Sequence, residues 1–231
     1  MDQRQKIVNV GKWFEADLDN VNQAKAQLKH FPTLHFFIRD GQAVVFGTYA
    51  LIHDGVEFDR YSLELWLHDN YPFAPPMVFE VGGRIPRTLD RHTYSNGSLC
   101  LGVPEDIWPK PGTAINLEEF LNGPVRNYLM ANTLVEQEQP WPFGERAHGI
   151  PGIVEYYCES FGICDPPKIL TLLMYALKPV ARGHWDCFCG SGKRMRNCHP
   201  DSISKLCQDV RKEVLERTFK TIYDGIVANK G

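Results

Sequence analysis

The sequence predicts an α+β protein in which an N-terminal helix, a four-stranded antiparallel meander and further helices are followed by a small helical unit. Three observations lead to this prediction. Apolar residues near the start recur at helical spacing, strand-like runs follow with Asp-Gly turns between them, and later apolar segments return to helical spacing. With 231 residues, the chain is long enough for one sizeable core and a small second unit.

The composition is that of a soluble globular protein, with 43% hydrophobic and 23% charged residues. A net charge of −3 argues against a general nucleic-acid binder. The chain has no apolar signal region at its start and no run near the roughly 20 apolar residues of a membrane span. We therefore expect a cytoplasmic protein without a membrane partner, whose seven cysteines are thiols or metal ligands rather than disulfides.

The N-terminal half is predicted to form one helix and then the meander. The helix runs from Phe14 to Leu28 and is closed by Pro32. Asp40-Gly41 and Asp54-Gly55 favour antiparallel pairing of the strands that flank them. Three prolines within residues 71–76 cannot sit in a central strand, so the chain leaves the sheet there. The four predicted strands are residues 34–39, 43–52, 61–67 and 77–81.

The C-terminal half is predicted to be helical. Asn116 is a plausible cap for a helix that is interrupted near Gly123-Pro124. Two short helices follow at residues 150–161 and 169–177, and the Asp165-Pro-Pro167 break between them marks a domain boundary. We assign residues 1–162 to a first domain and 163–231 to a second. From Ile203 onward, apolar residues mostly four apart predict an amphipathic helix that packs on the rest.

The stretch Tyr94-Ser-Asn-Gly-Ser-Leu-Cys-Leu101 places Cys100 just after a tight turn, because Asn96-Gly97 tolerates positive φ. A thiol at such a corner can approach a large substrate and act as a nucleophile. The alternative is a small hydrophobic residue packed between Leu99 and Leu101, which is the commoner case for a lone cysteine in an apolar run. The local sequence by itself favours packing.

Three motifs in order resemble the ubiquitin-conjugating enzyme family. The family's Tyr-Pro-Phe-x-Pro-Pro bend is matched by residues 71–76, its Asn-Gly-Ser-Ile/Leu-Cys-Leu motif by residues 96–101, and its downstream Trp-x-Pro by Trp108 with nearby prolines. The resemblance covers about residues 10 to 135, looks bacterial, and implies a UBC-like catalytic domain. It also implies that Cys100 is the nucleophile.

The resemblance implies a chemistry for this cysteine. Cys100 would receive the C-terminal carboxyl group of a ubiquitin-like modifier or another protein from an ATP-dependent activating enzyme, hold it as a thioester, and pass it to a target lysine. Asp106 could orient or deprotonate the incoming amine, although such a carboxylate is more often a solvated loop residue. Bacterial relatives commonly belong to antiviral defence systems, in which the target can be a nucleotide-synthesising signalling enzyme.

His92 is the main departure from the family pattern. It occupies the place of an Asn that is thought to support the oxyanion of the attacked thioester. An imidazole could donate to that oxyanion or help to deprotonate the amine. Alternatively, His92 only braces its loop through a backbone hydrogen bond. A catalytically silent protein then remains possible.

A second motif predicts a metal site near the C-terminus. The spacing of Cys187, Cys189, Cys198 and His199 provides four ligands for tetrahedral zinc, with glycines that let the chain double back. The segment 183–200 resembles the SEC-C motif. Four protein ligands indicate a structural zinc ion. The basic residues at 193, 194 and 196 could face an acidic protein surface or phosphates, or only solvent.

The remaining candidate residues have simpler expected roles. Glu145, Arg146 and His148 stand among aromatic residues, and we expect a packed turn with an ion pair rather than a substrate-facing surface. The other cysteines, at 158, 164 and 207, are expected to be free thiols. For the whole chain, the hypothesis is a conjugating enzyme. The alternatives are a binding module that recruits a partner through its zinc unit and, more weakly, a hydrolase that uses Cys100 and His92.

Overall fold

The computed structural model describes residues 12–16, 18–142, 146–180 and 183–228. Its four-stranded sheet consists of β1 (Leu34–Arg39), β2 (Gln42–His53), β3 (Val56–Leu67) and β4 (Met77–Glu80), antiparallel and in sequential order. Asp40 and Asp54 adopt positive φ in the two turns. The α+β class and the meander are confirmed. β3 begins earlier than predicted because its pairing with β2 continues to the Asp54-Gly55 turn.

Helices cover one face of this sheet and form the first core with it. Two helical segments, α1 (Trp13–Ala16) and α2 (Leu18–Gln27), precede the sheet, and α4 (Leu117–Phe120) and α5 (Arg126–Glu136) follow it. Asn116 caps α4, since its side chain accepts from the amides at 118 and 119. The predicted interruption at Gly123-Pro124 is a π-helical turn that joins α4 to α5, where the wider backbone accommodates a proline without an N–H.

The second core is built from helices α6 (Ile150–Phe161), α7 (Pro166–Ala176), α8 (Ser202–Asp209) and α9 (Lys212–Ala228). Because proline suits the first helical positions, α7 begins at Pro166 and not after the prolines. Although α6 precedes residue 163, it packs in this core; the boundary between 162 and 163 stays a prediction. None of the helices in the described ranges is long and apolar enough to cross a bilayer.

The prediction of one continuous C-terminal helix is wrong. The chain bends between α8 and α9 at Val210, which is extended and buried. The next residue, Arg211, donates to the backbone carbonyls of Pro109, at 2.8 Å, and Thr113. The sequence has no Gly or Pro at this bend that would break the helix locally. The bend instead coincides with the contacts of Arg211 with residues 109 and 113.

The prediction of free thiols is wrong for two cysteines, because Cys158 and Cys164 form a disulfide. Gly162 ends α6 in the left-handed conformation, and its amide donates to the Cys158 carbonyl at 2.9 Å. This turn reverses the chain and brings the two Cα atoms to 4.5 Å, within the range that a disulfide spans. Cys207 remains an exposed thiol.

The short helix α3 (Pro104–Ile107) connects the two cores directly after Cys100. Its Glu105 is only 6% exposed, and its Oε1 accepts hydrogen bonds from Thr218, at 2.7 Å, and Tyr157, at 3.3 Å. Oε2 has no hydrogen-bond partner within the described ranges. Burial raises the pKa of the Glu105 carboxyl group, against the effect of these hydrogen bonds.

Further contacts fix the loop after α3 to the C-terminal unit. Lys110 Nζ forms an ion pair with Asp209 at 2.6 Å, and the Arg217 guanidinium lies 5.4 Å from the centre of the Trp108 ring. Val103 is itself part of the second core. Thus α8 and α9 help to hold the chain on the C-terminal side of Cys100.

We predict that Glu105→Gln stabilises the protein above neutral pH. The folded-state pKa of Glu105 is raised, so the protonated side chain contributes to the free energy of unfolding. This contribution is complete below the unfolded-state pKa and is lost as pH rises through the folded-state pKa. Glutamine stays neutral and keeps an acceptor oxygen. The free energy of unfolding in urea should match wild type at pH 4 and exceed it at pH 8 by an amount on the order of 1 kcal/mol, as for a buried polar group that lacks a partner.

Asp224→Asn, on the exposed side of α9, is the matched control and should show no such pH-dependent difference. A Glu105→Gln protein that is less stable than wild type at pH 8 would contradict this account of the buried carboxyl group.

Candidate functional site

A small hairpin places Cys100 opposite His92. At its tip, Asn96 Oδ1 accepts from the Ser98 amide at 3.0 Å, and Gly97 has φ +86°. Backbone pairing continues through the Thr93–Leu99 bridge to the Cys100 amide, which donates to the His92 carbonyl at 2.8 Å. The predicted turn is therefore confirmed. Because of this turn, His92 is the residue opposite Cys100.

His92 is buried at the wall of a cleft. It follows a 3₁₀ turn, Leu89–Arg91, in the left-handed conformation with φ 50°. The ring centroid lies 4.6 Å from that of Trp141 and 4.2 Å from that of His148. The backbone of His92 holds the hairpin, as in the bracing alternative, while its ring also lines the cleft.

The cleft has a volume of about 560 Å³ and contains the sulfur-bearing side chain of Cys100. Cys100 is partly exposed there, so it is accessible as well as packed. Burial, together with hydrogen bonding to Cys100, raises the pKa of Tyr94. The same cleft is also lined by polar residues, namely His92, Tyr94, Asp106, Asn127, Tyr128, Arg146 and His148.

Sequence reasoning missed His148 as a site residue. One atom from each of His92, Cys100 and His148 lies within 4.8 Å of the others. His148 Nε2 is buried and has no hydrogen-bond partner in the part of the chain that the structure describes. The sequence shows aromatic and polar residues in this segment. However, nothing local in the sequence indicates that residues 48 positions apart would meet.

The expectation of a packed turn is incomplete for the described residues of this segment. Trp141, Arg146 and His148 line the cleft, whereas Glu145 lies outside the described residues. Arg146 forms an ion pair outside the turn, with its Nη2 lying 2.6 Å from Glu159 Oε2 of α6. The segment therefore forms a wall of the Cys100 cleft and anchors it to α6.

Asp106 also reaches the cleft, on the side of α3. Its Oδ2 lies 4.0 Å from Arg146 Nη2. Burial raises the pKa of the Asp106 carboxyl group, and the Arg146 charge opposes that rise. The structure thus brings together all three candidates at this site: Cys100, His92 and Asp106.

The four C-terminal metal-ligand candidates form a cluster that could hold a metal ion. Cys187 Sγ lies 3.1 Å from His199 Nδ1 and 3.4 Å from Cys189 Sγ, and Cys189 Sγ lies 3.6 Å from Cys198 Sγ. A tetrahedron with Zn–S bonds of about 2.3 Å has edges of about 3.8 Å, close to these distances. The side chains present therefore fit a tetrahedral ion.

Local backbone geometry builds this cluster. Gly190 and Gly192 adopt φ +78° and +73°. The Cys187 amide donates to the Lys193 carbonyl at 2.8 Å, which closes a hairpin around the two glycines. A 3₁₀ turn, Met195–Asn197, then returns Cys198 and His199 to the first two cysteines. The hairpin and the 3₁₀ turn together account for the spacing of the two cysteines and the Cys-His pair from which the site was predicted.

Comparisons with known proteins give weak structural similarity. No protein-family model and no curated protein matches the chain. It is similar to the yeast Vps23 UEV domain in complex with a Vps27 PSDP peptide, at 17% identity and a TM-score of 0.34, over 55% of this chain and 82% of that one. It is also similar to the Vps23 UEV in a complex with ubiquitin, at 17% identity and a TM-score of 0.30, over 52% of this chain and 81% of that one. Scores at this level assign neither a family nor an activity.

Proposed function

We propose that Cys100 carries the C-terminal carboxyl group of a ubiquitin-like modifier, or of another protein, as a thioester and transfers it to an amine. The observation that carries this proposal is the accessible Cys100 side chain in a cleft where imidazoles of His92 and His148 lie within 4.8 Å. The motifs at residues 71–76, 96–101 and 108 support the same reaction. The chain would act with an activating enzyme and a lysine-bearing target, in the setting of antiviral conjugation.

Loading is a thioester exchange. The Cys100 sulfur attacks the carbonyl carbon of a thioester on the activating enzyme, a new S–C bond forms, and the old one breaks. The Cys100 proton ends on the departing thiolate, so atoms and charge balance. A thiol leaves readily, and the site must mainly position the carbonyl group and stabilise its oxyanion.

Transfer then forms an amide bond. A lysine amine attacks the Cys100 thioester, the C–S bond breaks, and the amine loses a proton as the cysteine thiol is restored. In this proposal His148 accepts that proton, and its distance from Cys100 shortens when substrate fills the cleft. His92, opposite Cys100 in the hairpin, donates a hydrogen bond to the oxyanion. Asp106 at the rim could orient the amine.

We also propose that Cys187, Cys189, Cys198 and His199 bind a structural zinc ion. The fit of their distances to a tetrahedron supports this proposal. Zinc bound by four protein ligands supplies structural stability and no open coordination position. Phe188, beside His199, and Met195 are buried in the second core, so the proposed ion would hold the hairpin against α7 and α8.

The competing function is a protein-binding module in which Cys100 forms no acyl adduct. The outer face of the sheet offers one observation in its favour, because Phe37, Phe46 and Trp66 are substantially exposed there. Such a face suits a protein partner. The module would bind a partner without ATP and without any change at Cys100.

The first test is thioester formation. The full chain is incubated with an activating enzyme, ATP and modifiers encoded near its gene. We expect an adduct that thiol reagents remove and that is absent in Cys100→Ser. Cys207→Ser, which changes the exposed free thiol, should load normally. If no modifier forms an adduct with wild type, the enzyme proposal fails and the binding module remains.

The second test concerns the two imidazoles. With preloaded protein, we expect His148→Ala to slow discharge to lysine on the order of 100-fold, as for loss of a general base. His92→Asn should transfer faster than His92→Ala, because an amide can still donate to the oxyanion. His53→Ala changes an exposed histidine away from the cleft and is the control. Normal discharge by His148→Ala would remove His148 from the mechanism.

The third test is metal content. After gel filtration, elemental analysis should find tightly bound zinc, and Cys198→Ser should lose one equivalent relative to Cys207→Ser. Because metal binding contributes directly to folding, the Tm of Cys198→Ser should fall on the order of 10 °C. A Cys198→Ser protein with unchanged zinc and unchanged Tm would contradict the proposed ligand set.

A further inference from the structure

A second group of metal-ligating side chains lies in the Cys100 cleft. His92, Cys100 and His148 each place one ligand atom within 4.8 Å of the other two, the same limit that the four-residue cluster meets. We propose that these three residues form a separate, exchangeable site for Zn²⁺ or a similar divalent transition metal. This inference goes beyond the proposed function, which assigns the cleft to acyl transfer alone.

The donor set suits zinc. One thiolate and two neutral imidazoles are ligands that Zn²⁺ prefers, and three protein ligands with an open fourth position are typical of sites that exchange water or substrate. The cleft of about 560 Å³ provides room for a water molecule at that position. The four-residue cluster has no such opening in its ligand set, so the two sites should differ in affinity.

Two of the ligands are prearranged by the backbone. The hairpin fixes Cys100 opposite His92 through the 2.8 Å hydrogen bond from the Cys100 amide to the His92 carbonyl. The His92 ring also contacts the rings of Trp141 and His148. A preformed pair loses little conformational entropy when a metal binds.

The third ligand has an unsatisfied buried atom. His148 Nε2 has no hydrogen-bond partner within the described ranges, and an unpaired buried polar atom is costly. A metal ion bound directly, or through a water ligand, would satisfy it. His148 is not held by the hairpin, so this ligand should decide whether the site closes.

Nearby charges do not prevent cation binding. Arg146 lines the cleft, but its guanidinium is paired with Glu159 at 2.6 Å and lies 4.0 Å from the Asp106 carboxylate. The acidic groups therefore offset its charge. Asp106 also lines the same cleft and can attract a cation to it.

Metal binding would block the nucleophile. Cys100 loses its proton to solvent as a sulfur–metal bond forms, and the bound sulfur can no longer attack a carbonyl carbon. Zinc would thus switch off acyl loading reversibly. This consequence rests on the proposed function, whereas the metal site itself does not.

The test uses the full chain with its four-residue cluster already loaded. Zinc is titrated by calorimetry, and we expect a second equivalent that a weak chelator removes. Cys100→Ser and His148→Ala should each lack it, whereas Cys207→Ser should retain it. His148→Gln provides a milder substitution, and matching melting curves would show that these variants are folded. With Co²⁺ in the second site, a sulfur-to-metal charge-transfer band should appear in wild type and disappear in Cys100→Ser.

A second readout follows the thiol itself. Zinc should slow alkylation of Cys100 by iodoacetamide at least tenfold in wild type, and a chelator should restore the rate. His148→Ala should show no such protection. Wild type that binds only one zinc, or a second equivalent that survives in both Cys100→Ser and His148→Ala, would overturn the site.

Neither experiment requires a modifier or an activating enzyme. A protein that binds the second zinc but never forms an acyl adduct would refute the proposed enzyme and leave the metal site standing. A protein that loads a modifier but binds a single zinc would refute the metal site alone.

Discussion

The arrangement of the two cores depends on the hydrogen bonds that the buried carboxyl group of Glu105 accepts. It lies on the short helix directly after the cysteine and is bonded to Thr218 of α9 and Tyr157 of α6. A buried carboxyl group has few acceptable environments, so these partners restrict how the two cores can meet. The position of the C-terminal unit therefore sets the position of the loop beside Cys100.

The walls of the cleft are positioned partly by local turns and partly by contacts between distant segments. The hairpin at Asn96-Gly97 determines that His92 faces Cys100, since residues equidistant from a turn pair across it. His148 comes from a segment that is anchored to α6 through Arg146 and Glu159. Cys100 and His92 thus lie on a hairpin that is bonded to β4, whereas His148 lies in a segment that is attached to α6.

Three kinds of crosslink occur in the C-terminal helices and their contacts. The Cys187–His199 cluster could hold a metal ion, the Cys158–Cys164 disulfide joins the end of α6 to the start of the next connection, and Arg211 ties the α8–α9 bend to the loop at Pro109. Each of these limits the conformations open to a short helical unit with a small core. Such a unit can act as a rigid support for the cleft.

The sequence alone determined what local chemistry controls. Asp-Gly turns specified the meander, Asn116 specified a helix start, and the Cys187–His199 spacing specified a cluster, because each depends on residues close together in the chain. The Cys158–Cys164 disulfide joins residues only six apart and depends on the left-handed turn at Gly162, which the sequence analysis did not recognise. The tertiary structure decided the bend at Val210 and the approach of His148 to Cys100. These two features depend on packing between distant segments, for which no local pattern exists: Arg211 contacts Pro109, and His148 approaches Cys100, only in the folded chain.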